Sequence, residues 1–331
     1  MMSINDATNT VVVMSKMLLD ILVCIFKDIN EIEENKKNAE ELKKEIEKNP
    51  REFAGEELNA ILRISETKLV HEPLGYVNVV CESPHCVDIE EEHIIYPQVC
   101  CKACRCSSFL MYFCSSISWL GKCKICGCSL RDHRWKTTKT TVVKEPVESE
   151  VIDVIFDSNK TLIAISKGIE KFKNRVEAYE GETQQMIQIC AKLNAFAHQN
   201  TLLGATSTDD ELLKCLENQR QTFAKCTATQ READYLAEVK LQYERLLSQE
   251  MGCGYSVSDV RNLMQQLYEL PVKGEEIKRA VDQYEKSRRE VIENGKKLRK
   301  MFSIPRAKSV IRFIAKLPSA LWSMTSVPND S

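Results

Sequence analysis

The most reactive side chains of this chain are cysteines, and most of them lie in one segment. Ten of its 15 cysteines fall between Cys81 and Cys128. The polar N-terminus does not have the pattern of a secretory signal, so we expect a reducing, cytoplasmic environment in which disulfides do not persist. Clustered cysteines in that setting are typical of metal ligands. The other five stand singly in or beside helical patterns, where we interpret them as small buried side chains.

Short intervals within the segment fit zinc-binding turns. Cys123 and Cys126 are two residues apart, a spacing at which two thiolates can bind one ion, and Gly127 adds backbone freedom beside them. His133 follows Cys128 by five residues, an interval at which both could bind the same ion. The predicted metal ligands are Cys81, Cys86, Cys100, Cys101, Cys104, Cys123, Cys126, Cys128 and His133.

The predicted cofactor is structural zinc, as one or two ions. Thiolate-rich tetrahedral sites select zinc over hard cations, and a cross-braced pair of ions is the preferred arrangement, with the ligand pairing left open. The segment has few large apolar side chains, whereas a structural zinc ion contributes roughly 10–16 kcal/mol in small modules. We therefore expect chelation to unfold the segment and leave the helices intact.

No catalytic constellation accompanies these ligands. The chain contains no His-Glu-x-x-His motif, no deaminase pattern of His-x-Glu with Pro-Cys-x-x-Cys, and no Gly-x4-Gly-Lys-Ser/Thr phosphate loop. We therefore predict a non-enzymatic protein with no nucleotide site and no catalytic or cofactor-binding residues other than the metal ligands.

Composition and periodicity favour long helices around this segment. With 11 Gly and 9 Pro in 331 residues, the chain is poor in turn formers. The predicted fold is mainly α, with long coiled-coil-like helices and a small zinc-stapled, β-containing cysteine-rich insert. The predicted segments are an amphipathic, coiled-coil helix at 1–50, the zinc module at 70–145, a helical coiled-coil domain at 151–300 and a basic, partly amphipathic tail at 301–331.

Apolar residues repeat at helical spacing on both sides of the module. Residues 15–49 predict one helix ending before Pro50, and a 3-4 spacing from Leu162 to Ala197 predicts another. The seventh-residue repeat in the first helix consists of Leu18, Ile25, Ile32, Ala39 and Ile46. Further helices are predicted at 211–250, 256–269 and 273–301. Short strands are predicted at 76–80, 93–96 and 135–143.

Several phrases of the chain occur together in one known family. They are Cys81-x4-Cys86, Cys100-x3-Cys104, Cys123-x2-Cys126-Gly127-Cys128-x4-His133, Ser15-Lys16-x-Leu18-Leu19-Asp20-Ile21, Phe196-Ala197-His198-x-Asn200 and Gln266-Leu267-Tyr268-Glu269-Leu270-Pro271. Over roughly residues 5–300 the chain resembles the region C-terminal to the G domain in a family of uncharacterised eukaryotic P-loop GTPases. The resemblance implies an accessory region whose G domain is absent here, as in a paralogue that lost it or an incomplete gene model.

The module departs from the family pattern at two positions. Cys100-Cys101 stands where the family has a Cys-His pair, and an exchange of His for Cys keeps a zinc-binding group. His133-Arg134-Trp135 stands where the family has His-x-His, so one ligand or supporting group is missing from the last site.

The chain ends in a basic stretch with three interpretations. Residues 286–316 contain 11 Lys and Arg against two Glu, whereas the whole chain has a net charge of -2. The stretch could be a solvated or intramolecular helix facing acidic residues 90–92, or attach to an anionic membrane surface. Nucleic-acid binding is the least favoured interpretation, because interleaved aromatic residues are sparse.

Together these features favour a protein-interaction or scaffold protein. The expected partner is another protein, or a second copy bound through the helices. A GTPase-associated regulator or truncated GTPase gene product is one alternative, and it depends on the resemblance. A zinc-dependent ubiquitin-ligase-like module is another, although the central Cys-x-His of a RING is absent. No transmembrane helix is predicted, because the longest uncharged apolar run in the first helix, residues 21–26, is far shorter than a membrane span.

Overall fold

A computed structural model describes residues 4–50, 53–90, 94–104, 114–147, 155–200 and 209–301. As predicted, it is mainly helical, with a small antiparallel sheet beside a cysteine cluster. The helices are α1 (Ile4–Lys48), α2 (Gly55–Ile61), α3 (Ser158–Gln199), α4 (Asp209–Phe223), α5 (Gln230–Glu250), α6 (Val257–Tyr268) and α7 (Gly274–Met301). The strands are β1 (Phe53–Ala54), β2 (Ser65–Cys81), β3 (Val87–Glu90), β4 (Ile94–Cys104), β5 (His133–Pro146) and β6 (Ile155–Phe156). Most of the predicted tail lies outside the described residues.

The two longest helices, α1 and α3, pack against each other in antiparallel orientation. Asn194, near the end of α3, donates to the hydroxyl of Ser15 near the start of α1 at 2.8 Å. Tyr179 donates to the Asp28 carboxylate, further along α1, at 3.2 Å. The five seventh-residue repeat positions of α1 are at most 1% exposed. Their apolar seam is therefore buried within this chain, and association through the helices stays a prediction.

The prediction of one helix over 211–250 is wrong. Helix α4 ends at Phe223 and α5 begins at Gln230, with a short 3-10 turn between them. The Thr229 hydroxyl donates to the Phe223 carbonyl, which in a continuing helix would accept a backbone N–H four residues later. Helix α5 then folds back on α4, where Lys240 pairs with Glu217 at 3.2 Å.

The main sheet has the antiparallel order β3-β4-β2-β5. The long β2–β5 ladder pairs Ser65 with Pro146 at one end and Cys81 with His133 at the other. Its register is interrupted between Pro73 and Asn78, where proline cannot donate to the ladder. The ladder joins two environments, because its first half packs against the helical core and its second half against the cysteine cluster. Strand β2 thus starts before the predicted module boundary at residue 70.

A buried group of charges, called here the Lys273 cluster (Asp28, Glu66, Lys273 and Glu276), connects β2 to α1 and α7. The Lys273 ammonium has no exposed area and lies 3.1 Å from a carboxylate oxygen of both Glu66 and Glu276. It also donates to the Thr67 carbonyl at 2.7 Å. Asp28 accepts hydrogen bonds from the Thr67 N–H and hydroxyl. These contacts fix the sheet to the helices.

Burial and charge act in opposite directions on this cluster. Desolvation raises the pKa of Asp28 from 3.8 to about 6, although hydrogen bonds from Thr67 and the charge of Lys273 oppose the rise. Burial alone would lower the pKa of Lys273, but the surrounding carboxylates, Glu276 first, outweigh it and raise that pKa. The ammonium is therefore charged and compensated in the folded chain.

Helix α1 is apolar over a longer stretch than its uncharged run at residues 21–26 indicates. Its most apolar window has a mean hydropathy of 1.9, enough by length and composition for a membrane span. Within the fold, 71% of that window is buried, and core helices of soluble proteins pass the same test. In this structure α1 packs mainly against α3.

Candidate metal centre

Ten side chains form three groups in which all ligand atoms lie within 4.8 Å of one another. The groups contain all nine predicted ligands and one additional cysteine, and they are positioned to hold metal ions. Group 1 is Cys81, Cys86, Cys126 and Cys128; group 2 is Cys100, Cys123, Cys126 and His133; group 3 is Cys101, Cys104 and Cys114.

The sheet delivers ligands from distant parts of the chain. Cys81, at the end of β2, lies opposite His133, at the start of β5, and Cys101 in β4 lies opposite Val79. Successive side chains of a strand point to opposite faces, so the adjacent Cys100 and Cys101 enter groups 2 and 3 respectively. Groups 1 and 2 therefore interleave along the chain, as in a cross-braced arrangement.

A tight turn supplies three more ligands. The Cys123 N–H donates to the Cys128 carbonyl and the Gly127 N–H to the Cys123 carbonyl, both at 2.9 Å. Gly127 has φ +77°, a left-handed conformation that glycine adopts without strain. This conformation lies between Cys126 and Cys128, and the turn places both thiols in group 1 while Cys123 enters group 2.

The spacing of the sulfur atoms suits a tetrahedral ion. Metal–sulfur bonds of about 2.3 Å at tetrahedral angles place two sulfurs roughly 3.8 Å apart. The closest pairs are well beyond the ~2.05 Å of a disulfide bond, and the cysteines are free thiols. The Sγ–Sγ distances are 3.6 Å for Cys86–Cys128, 3.7 Å for Cys100–Cys126 and 3.6 Å for Cys104–Cys114.

His133 is oriented as a ligand. Its side chain has no exposed area, and its Nδ1–H donates to the Ser129 carbonyl at 2.8 Å. Because a carbonyl can only accept, this bond places the proton on Nδ1 and leaves Nε2 free in the neutral ring. Nε2 lies 3.4 Å from the Cys126 Sγ. A backbone carbonyl that orients a histidine in this way is typical of metal sites.

Burial opposes ionisation of most of these thiols, while hydrogen bonds favour it at one thiol in each group. Burial raises the pKa of Cys86 to about 11 and that of Cys101 to about 12. At Cys123 burial is outweighed by the backbone N–H groups of Cys126 and Ile125, which hold its pKa below its ordinary value of 9.0.

Hydrogen bonds likewise outweigh burial at two further thiols. Ser116 lowers the pKa of Cys114, with its hydroxyl 2.9 Å from the sulfur, and the Cys86 and Ser83 side chains lower that of Cys128. One thiol in each group is thus poised to ionise. Full ionisation of a group needs a compensating cation, which a divalent metal would provide.

The centre is attached to the helices by polar contacts. Lys214 of α4 pairs with Asp132 at 2.7 Å, and Asn218 donates to the Glu82 carbonyl at 3.3 Å. Lys16 of α1 forms an ion pair with the Glu82 carboxylate. Glu82 directly follows Cys81 and Asp132 directly precedes His133. Residues adjacent to two candidate ligands therefore connect the centre to α1 and α4.

A cavity of about 210 Å³ lies at this junction between the sheet and helices α1, α4 and α7. Its lining includes Lys16, His71, Lys136 and Lys214. Burial, followed by the charge of Lys16, lowers the pKa of Lys136 below its ordinary value of 10.5. Most of the charges around the cavity belong to the ion pairs that attach the centre, so the cavity is part of this junction.

The grouping differs from the sequence-based pairing in several ways. Cys128 and His133, interpreted as two ligands of one ion, enter different groups, whereas the pairs Cys123–Cys126, Cys101–Cys104 and Cys81–Cys86 each stay together. Cys114 is the one member of the three groups that the predicted ligand set left out, and its position among the ten clustered cysteines was the signal for it. His85 is exposed and outside the three groups, and Cys106 lies outside the described residues.

Comparison of the chain with protein-family models, curated proteins and solved structures found no match.

Proposed function

We propose that this chain is a non-enzymatic, zinc-binding helical scaffold that presents a metal-stabilised module to another protein. The observation that carries the proposal is the convergence of nine cysteines and one histidine into three compact groups. Sulfur and imidazole ligands at these spacings suit zinc, and hard cations prefer oxygen. Free, clustered thiols also support a reducing, cytoplasmic location.

A structural role for the metal follows from the ligand count. With Cys126 counted in both, groups 1 and 2 each contain four candidate protein ligands, which is the closed arrangement of structural zinc sites. Catalytic zinc keeps an open position for water or substrate. The chemistry supported by these two groups is therefore to hold the chain in shape.

In the part of the module that the structure describes, the apolar core is small, so the metal supplies stability that side-chain packing there does not. Apart from cysteines, the fully buried apolar residues described in this cluster are Val79 and Ile117, and Leu130 and Trp135 are partly buried. Burying two such side chains contributes about 3–6 kcal/mol. Ordering the backbone costs roughly 1–2 kcal/mol for each residue, so the turns of residues 114–132 require another source of stability. Two zinc ions at roughly 10–16 kcal/mol each contribute energy of the same order as this cost.

An exposed hairpin supports the interaction part of the proposal. Residues 117–123 form a short hairpin closed by hydrogen bonds between Ser118 and Lys122. At its tip the Trp119 side chain is 90% exposed and Leu120 is 67% exposed. Adjacent large apolar side chains on a surface are typical of interaction sites. A GTPase-associated accessory role stays an alternative proposal, and it depends on the sequence resemblance alone.

Elemental analysis and native mass spectrometry of the purified chain, before and after chelation, test this proposal. We expect bound zinc in the untreated protein. After chelation we expect protease cleavage to increase within residues 114–135 while the helical signal in circular dichroism largely persists, because α3 and α5–α7 have their own apolar core. A metal-free protein whose module resists protease equally before and after chelation would contradict the proposal.

Two cysteine variants provide a matched comparison. Cys123→Ala removes a buried candidate ligand of group 2. Cys253→Ala removes a cysteine outside the three groups, and its exposure, like that of Cys226, shows that the expectation of a buried side chain was wrong for these two. We expect the first to lose zinc and protease resistance and the second to retain both. Equal zinc content in the two variants would show that group 2 does not bind the ion.

A further inference from the structure

Cys126 occupies a position that none of the other ligands shares. It belongs to both group 1 and group 2, and its sulfur lies within 4.8 Å of every ligand atom in each. On the group 2 side it is 3.7 Å from the Cys100 sulfur and 3.4 Å from His133 Nε2. The two groups together therefore offer seven ligand atoms among the described residues.

Seven ligands leave two tetrahedral ions one position short. Two separate four-coordinate sites would need eight protein ligands, so one ion would retain an open position if each ligand bound once. A thiolate sulfur has more than one lone pair and can bind two metal ions at once. Sharing one thiolate supplies the eighth coordination position without an additional residue.

The local backbone explains why Cys126 can be shared. It lies in the turn between Cys123, which belongs to group 2, and Cys128, which belongs to group 1. Gly127, with φ +77°, redirects the chain directly after it. Space for a Cβ is open at Gly127, so glycine is required there by backbone conformation rather than by crowding. Cys126 is thus at the boundary between the two ligand sets.

We propose that the Cys126 thiolate bridges two zinc ions, so that groups 1 and 2 form one binuclear centre. This inference rests on the proposed zinc-binding function. One ion is bound by Cys81, Cys86, Cys128 and the shared sulfur. The other is bound by Cys100, Cys123, His133 and the shared sulfur. Each ion then has four protein ligands, and neither has an open position for water.

X-ray absorption spectroscopy of the zinc-loaded, full-length protein tests the bridge directly. Two ions that share one sulfur are separated by less than about 4.6 Å, twice the zinc–sulfur bond length. We expect zinc–zinc scattering within that range. The same measurement on Cys104→Ala separates groups 1 and 2 from any ion bound at group 3, because this variant alters group 3 alone. We expect it to retain two zinc ions and the same zinc–zinc scattering.

The outcomes separate the bridge from the underlying function. Cys126→Ala should lose the zinc–zinc scattering and bind both zinc ions more weakly. Cys86→Ala should chiefly weaken the binding of one ion. Zinc bound without zinc–zinc scattering in the wild-type protein, or a single ion in Cys104→Ala, would overturn the bridge and leave the zinc-binding function standing. Absence of zinc from the wild-type protein would overturn both. The wild-type and Cys104→Ala spectra decide the question, so misfolding of Cys126→Ala or Cys86→Ala does not obscure it.

Discussion

Replacing Lys273 with methionine should destabilise the fold by leaving buried carboxylates without their cation. The ammonium lies 3.1 Å from Glu66 and Glu276 and 3.9 Å from Asp28, and it donates to a backbone carbonyl. Methionine has a similar length, so it fills the space and leaves little cavity. The substitution therefore tests the charge of Lys273 separately from its packing. That charge forms the ion pairs that connect β2 to α1 and α7.

The expected loss is about 3–5 kcal/mol at neutral pH, the cost of breaking a buried ion pair by removing one partner. That is a large share of a typical stability of roughly 5–15 kcal/mol. The loss should shrink as the pH falls. Lys273 opposes the rise in the pKa of Asp28, so its removal raises that pKa further, and proton uptake relieves the uncompensated charge.

Urea unfolding of the zinc-loaded protein at pH 7 and pH 5, followed by circular dichroism, measures this loss. Lys278→Met is the matched control, because Lys278 lies in the first turns of α7, five residues after Lys273, and is exposed. A Lys273→Met variant within about 1 kcal/mol of the control at pH 7 would refute the compensation argument, since that is the range of an exposed pair. A loss of stability that grew towards acid pH would refute the predicted direction of the pH dependence.

Two further predictions concern single positions. Asp28→Asn should remove a pH dependence: because burial raises the folded pKa from 3.8 to about 6, stability from this group is full below pH 3.8 and is lost as the pH rises through about 6. Unfolding profiles of the variant and wild type that run parallel between pH 4 and 7 would contradict this assignment. Gly127→Ala should cost about 1–2 kcal/mol through its positive φ and lower the midpoint concentration of chelator that removes zinc. Gly181 is exposed within α3 and has open space at its Cβ, so Gly181→Ala should instead stabilise the fold by roughly 0.5–1 kcal/mol, measured by thermal unfolding. Changes in stability of the same sign for both glycine variants would argue against the backbone explanation.

Local patterns were sufficient for most helices and for the candidate ligands. Helix α3 was predictable because its apolar side chains recur at helical spacing, and the Cys123–Cys126 pair because two residues of separation define a tight turn. The interruption between α4 and α5 was not predictable in this way. It depends on the Thr229 hydroxyl reaching the Phe223 carbonyl, a contact that competes with an otherwise continuous helical pattern.

The assignment of ligands to groups and the Lys273 cluster emerge only when the chain is folded. Cys81 and His133 meet because β2 and β5 pair in antiparallel register, and no interval in the sequence encodes that register by itself. Lys273 meets Glu66 and Asp28 across more than 200 residues of chain. Periodicity and short spacings report interactions between neighbours in the chain. The sharing of Cys126 between two ligand sets depends on strand pairing and helix packing, which bring distant residues together.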